Sequence, residues 1–82
     1  MILVDIYIPS LDKSYDFQLN ESARVDTIIE EISEMVGQKE RIQIVGDVSK
    51  LTLCDKMQRK VLPKEWSLAQ CGIATGNSLI LI

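Results

Sequence analysis

Histidine is absent from all 82 residues. The side chain that most often serves as general base or metal ligand near neutral pH is therefore missing. Cysteine is nearly absent as well, with only Cys54 and Cys71. They form no C-x-x-C motif, and no second pair exists to complete a zinc site. A bridge between them would require their Cβ atoms to meet, which spacing alone does not establish. The expectation is two free thiols in a reducing compartment. Neither thiol has an evident activator, since a reactive thiolate needs a nearby cation or helix N-terminus. Asp55 and Lys56 beside Cys54 do not make that case. The sequence thus gives no expectation of a catalytic, cofactor or metal site. Four glycines and two prolines are too few for a low-complexity or collagen-like chain. Basic residues are also short: nine Lys and Arg against twelve Asp and Glu leave a net charge of −3. Those nine are scattered, whereas phosphate neutralisation needs a clustered basic face. Nucleic acid and anionic membrane surfaces are disfavoured partners on that ground. No apolar run reaches the roughly 20 residues of a membrane-spanning helix.

What is present suits a small folded protein. Hydrophobic residues make up 46% and charged residues 26% of the chain, far from the profile of a disordered segment. One domain covering residues 1–82 is expected, with the thin core that its length allows. The opening run Met1 to Ile8 is interrupted by Asp5, lacks a basic leader and has no small-residue cleavage site, so it reads as a strand and not a targeting segment. A soluble cytoplasmic protein is the expectation.

Alternation with a period of two marks residues 2–8, with Ile2, Val4, Ile6 and Ile8 on one face and Leu3, Asp5 and Tyr7 on the other. Pro9 to Lys13 supplies turn chemistry. Residues 14–19 alternate again, placing Tyr15, Phe17 and Leu19 inward, and the two strands form a hairpin. The period then changes to 3.6. Val25, Ile28, Ile29, Ile32, Met35 and Val36 make one apolar stripe, opposite Asp26, Glu30, Glu31, Ser33 and Glu34. The helix is predicted over 25–36, with Gly37 as a left-handed stop and no strong N-cap, since Arg24 is a poor one. Residues 38–50 are ambiguous: Ile42, Ile44, Val45 and Val48 suit a strand, a helical turn or an anchored loop. Leu51 to Cys54 reads as a third strand with Leu51 and Leu53 inward, and Asp55-Lys56 as a turn. Val61-Leu62-Pro63 is confined to an edge or a loop by its proline. Ser67 to Gln70 suits one helical turn, and Cys71 to Asn77 suits turns. Ser78 to Ile82 forms the last strand, with Leu79 and Leu81 opposite Ile80 and Ile82. A lone amphipathic helix must cover one face of such a sheet, giving a two-layer α+β fold with a mixed sheet of 4–5 strands.

The closing segments Leu51-Thr52-Leu53-Cys54-Asp55-Lys56, Ser67-Leu68-Ala69-Gln70-Cys71-Gly72-Ile73 and Gly76-Asn77-Ser78-Leu79-Ile80-Leu81 resemble the second half of ubiquitin-like (β-grasp) domains. The hairpin and the helix core positions Val25, Ile28 and Ile32 agree with the first half. Within that superfamily, Leu68-x-x-Cys71-Gly72-Ile73-x-x-Gly76-x-x-Leu79 is similar to the small bacterial YukD/EsaB group. That group accompanies the type VII (ESX-like) secretion apparatus of Gram-positive bacteria. The resemblance implies a regulator or assembly partner acting by protein–protein binding. The chain departs from ubiquitin-type modifiers in its Leu81-Ile82 ending. Those modifiers need a flexible Gly-Gly tail, because only glycine passes a narrow activating channel without a Cβ clash. Covalent conjugation is therefore not expected.

By the same resemblance, the sheet face away from the helix is the recognition surface. Leu3, Tyr7, Thr52, Ile80 and Ile82 fall on it, and Thr52 and Ile82 match positions of the ubiquitin recognition patch. An apolar cluster there suits a protein partner and is also compatible with a homodimer; a fold-back of residues 38–50 would instead cover it. Trp66, the only tryptophan, either lids the core or stands out as an interface anchor. The carboxylates Asp26, Glu30, Glu31 and Glu34 form a solvated helix face or a docking surface for a basic partner.

Overall fold

The computed structural model describes residues 1–41 and 48–82. The alternation at the start of the chain becomes β1 (Ile2–Ile8), which pairs antiparallel with β2 (Lys13–Leu19) from Ile2 opposite Leu19 to Ile8 opposite Lys13. The following helix, α1 (Val25–Glu40), lies beneath them. Three shorter strands complete the sheet: β3 (Leu53–Asp55), β4 (Lys60–Val61) and β5 (Ser78–Leu81). The strand order is β2-β1-β5-β3-β4, so the last strand in sequence is the central one. β5 runs parallel to β1 and antiparallel to β3.

The core lies between α1 and one face of this sheet. Val4, Ile6 and Ile8 of β1, Tyr15, Phe17 and Leu19 of β2, Leu53 of β3, and Leu79 and Leu81 of β5 meet Val25, Ile28, Ile29, Ile32 and Val36 of the helix. Leu62, Leu68 and Ile73 close it from the connecting segments. The inward residues are those that period-two and 3.6-residue patterning assign, and burying each large aliphatic side chain contributes roughly 1.5–3 kcal/mol.

Several local expectations are corrected. The helix does not stop at Gly37; it runs one turn further to Glu40 and ends at Arg41, whose backbone is left-handed at φ 54°, ψ 39°. The extension has a physical cause in the hairpin. Glu40 accepts from the Lys13 ammonium at 2.9 Å and from the Tyr15 phenol, while the Lys39 ammonium sits 5.0 Å from the Tyr15 ring centre. These charge-assisted and cation–π contacts hold the extra turn against β2. Within α1, Ser33 is buried and Met35 is exposed, the reverse of their assignment by polarity. At 3.6 residues per turn the two lie about 80° to either side of the buried line, and packing covers the Ser33 margin.

Asp55 is not a solvated turn residue. It ends β3 with only 1% exposure, its Oδ1 accepting from the Met57 amide at 3.1 Å and its Oδ2 buried with no partner among the described residues. Ser67 to Gln70 forms the single helical turn expected, closed by the Cys71 amide donating to the Ser67 carbonyl at 3.1 Å and too short to continue as a helix. There the Gln70 amide donates to Ser67 Oγ at 3.1 Å, and the Ser67 amide donates to Gln70 Oε1 at 2.9 Å. Ser67 also makes an isolated bridge to Arg24, which pins this segment to the start of α1. Arg24 provides no side-chain cap there and instead pairs with Asp26.

Of the ambiguous stretch, Ile42, Ile44 and Val45 fall outside the described residues. Val48 begins a single 3-10 turn, Val48–Lys50, that packs against the core.

Candidate functional site

With one helix on one face, the other face of the sheet is built from the alternate residues, and strand pairing sets them in rows. Across the middle, Ser14 lies opposite Tyr7, Tyr7 opposite Ile80, Ile80 opposite Cys54, and Cys54 opposite Val61. This row crosses all five strands. One step toward the end of β5, Thr52 and Ile82 exchange reciprocal backbone hydrogen bonds of 2.6 and 2.9 Å, so their side chains stand side by side. One step the other way, Asp16 lies opposite Asp5 and Asp5 opposite Ser78, whose carbonyl accepts from the Lys56 amide at 3.0 Å.

Two features follow from these rows. The first is an apolar strip of Tyr7, Ile80, Cys54, Val61 and Ile82, in which Val61 is 64% and Ile82 59% exposed. On the β3–β5 side it sinks into a groove of about 470 Å³ whose lining includes Ile80, Ile82, Cys54, Val61, Lys56 and Arg59. The second is a separation of charge. Asp5 and Asp16 occupy the β1–β2 half, while Lys56 and Arg59 rim the β3–β4 half. Among the described residues none of these four side chains has an ion pair or side-chain hydrogen bond. Tyr7 is anchored by donating its phenol proton to Asp12 Oδ1 at 2.8 Å, and this bond raises its pKa.

The structure brings Tyr7, Thr52, Ile80 and Ile82 together. Leu3 lies on the same face and is 48% exposed, but the Asp5–Ser78 row separates it from Ile80. It borders the loop before β5 instead, where its carbonyl accepts from Gly76 at 2.9 Å. Gly76 takes φ 92° at that point, a conformation that disfavours any residue with a Cβ. Trp66 belongs to neither group. Its carbonyl accepts from the Val25 amide at 2.8 Å, which places it beside the first turn of α1, and it is 50% exposed and does not lid the core.

Sequence reasoning missed Cys54, Val61 and the cationic rim. Alternation from the inward Leu53 was enough to send Cys54 outward, but the residue was weighed only as a thiol. Val61 and the cations required knowing that β4 pairs with β3, a non-local fact. Both cysteines are free and partly exposed, and burial pushes the Cys71 thiol upward, away from reactivity. Glu30, Glu31 and Glu34 are solvent-exposed on α1. Among the described residues no helix is long and apolar enough to cross a membrane.

Comparison with known proteins bears on the fold. The fold is similar to the ubiquitin-like domain of EccD5 from Mycobacterium xenopi, with a TM-score of 0.78 and 19% identity over 99% of this chain and 91% of that one. It is similar to the ubiquitin-like domain of Plasmodium falciparum Dsk2 at a TM-score of 0.74 and 20% identity, over 98% and 93% of the two chains. A protein designed on the template of human erythrocytic ubiquitin gives 0.74 and 22%, over 100% and 90%. At these identities the likeness establishes the ubiquitin-like β-grasp fold. No curated protein matches the sequence. Residues 3–81 match the family described as the WXG100 protein secretion system (Wss), protein YukD, and with the match spanning nearly all of a β-grasp chain, the protein belongs to the YukD family.

Proposed function

We propose that this protein is an accessory or regulatory component of a bacterial WXG100 (type VII, ESX-like) secretion system. In this reading it acts in the cytoplasm of a Gram-positive bacterium by non-covalent binding to a protein of the secretion machinery through the uncovered face of its sheet. The observation that supports it is the apolar strip of Tyr7, Ile80, Cys54, Val61 and Ile82 on a face that no helix among the described residues covers. Contiguous apolar surface of this kind, rimmed by charge, is characteristic of protein-interaction sites. The rim gives the partner its chemistry: an apolar ridge that carries carboxylates toward Lys56 and Arg59.

The test is affinity capture from a native lysate, comparing wild type with the double variant Ile80→Asp plus Ile82→Asp, folding checked by circular dichroism. Secretion-machinery proteins retained by wild type and lost by the folded variant are the expected result. Equal capture by both would remove the strip from the binding site. Capture of unrelated proteins alone would make the chain a general ubiquitin-like adaptor.

A further inference from the structure

The uncovered face has opposite charges on its two halves, and β5 lies between them as the central strand. We propose that this face binds a second copy of the same chain, forming a two-fold dimer whose axis runs along β5. The inference rests on reading the face as a docking surface and adds what occupies it when no other partner does.

A two-fold interface must be self-complementary: whatever one copy places left of the axis meets what the other places right of it. With the axis along β5, each residue on β1 or β2 faces a residue at the same strand level on β3 or β4 of the second copy. The Asp5–Asp16 pair and Lys56 share one level, because both are registered on Ser78. The axis therefore sets two unpartnered carboxylates over Lys56 and neighbouring Arg59, and does so twice. In the next row Ile80 meets Ile80. Tyr7, held by its bond to Asp12, comes over the groove between Cys54 and Val61. One side of the face supplies the projection and the other the depression.

The like-charge pair adds weight to this. Asp5 and Asp16 are directly opposite across two strands, an arrangement that destabilises an isolated hairpin. Cations from another molecule relieve it. Five strands at about 4.8 Å spacing make a face roughly 20 Å wide. With β5 only four residues long, such a face falls below the roughly 1,000 Å² of a specific, stable interface. Self-association is accordingly weak and readily displaced, so the dimer competes with the secretion partner for the same surface.

Sedimentation velocity on the purified chain, from about 5 µM to about 1 mM, tests this directly. Wild type shifts from monomer to dimer across the series. Asp5→Lys plus Asp16→Lys makes the face wholly basic, and Lys56→Glu plus Arg59→Glu makes it wholly acidic. Each variant alone stays monomeric, with self-association weakened at least tenfold. An equimolar mixture of the two restores the dimer. A wild type that is monomeric throughout overturns the proposal, as does a dimer that persists in both variants or a mixture that fails to associate while each variant is folded. These results are independent of lysate capture: a monomer that still captures secretion proteins through Ile80 and Ile82 leaves the docking face standing and removes only the second copy.

Discussion

At the scale of single residues, neighbouring positions on β5 have opposite consequences. Leu79 is fully buried under α1, while Ile80 faces away from it, half-buried among Tyr7 and Cys54. Truncating the first removes core contacts and leaves a cavity; changing the second alters only the surface strip. Leu79→Ala is expected to cost about 2–5 kcal/mol in denaturant unfolding. Ile80→Asp should cost about 1 kcal/mol, the span of strand preference on an open face. Similar losses for both would mean that β5 does not present the face described. This alternation was legible in the sequence because inward and outward residues differ by a single step. Asp55 was not legible, since nothing in its neighbours announces that a carboxylate closes β3 inside the protein.

At the scale of elements, the end of α1 depends on its tie to the hairpin. Lys13 and then Tyr15 hold the Glu40 carboxyl below the usual glutamate range, while Glu40 raises both the Lys13 and the Tyr15 pKa. A carboxylate depressed in the folded state gives stability that is fully present above its unfolded value and is lost as pH falls through the folded one. The two raised groups act oppositely, contributing below their unfolded values and losing that contribution as pH rises through the folded ones. Glu40→Ala should therefore lower the melting temperature near neutral pH and flatten both limbs of the stability profile, below the glutamate range and above the tyrosine and lysine range. A variant profile parallel to wild type at both ends would contradict the tie. Here the sequence misled, because Gly37 is a strong local stop, and the residues that override it lie on a strand more than twenty positions earlier. The hairpin carries a second prediction. Asp16→Lys replaces a cross-strand repulsion with an attraction to Asp5 and should stabilise the monomer by about 0.2–1 kcal/mol. Thermal unfolding at low protein concentration and low salt reads it, and unchanged or reduced stability would show that the two carboxylates do not repel.

At the scale of the whole molecule, the strand order determines what the protein can present. A sheet ordered β2-β1-β5-β3-β4 with one helix gathers residues from every strand into a single surface. Its centre comes from the end of the chain, and its two charged flanks come from segments forty residues apart. The helix, the hairpin and the last strand were readable from period and turn chemistry, and so was the two-layer arrangement. The composition of the face was only half readable. Tyr7, Ile80 and Ile82 follow from alternation, whereas Cys54, Val61 and the cations join them only through pairing of β3 with β5 and β4. The same pairing excludes Leu3 from the strip, and the hydrogen bond from Val25 draws Trp66 to the helix instead.

The central claim is that this face, and not the acidic helix, meets the protein's partners. Site-specific photo-crosslinking in the native host tests it most directly, with a photoreactive residue placed at Ile82 in one strain and at Glu30 on the exposed side of α1 in another. The account predicts adducts to secretion-machinery proteins from position 82 and none from position 30. Adducts from position 30 alone would transfer the interaction to the helix and contradict the account.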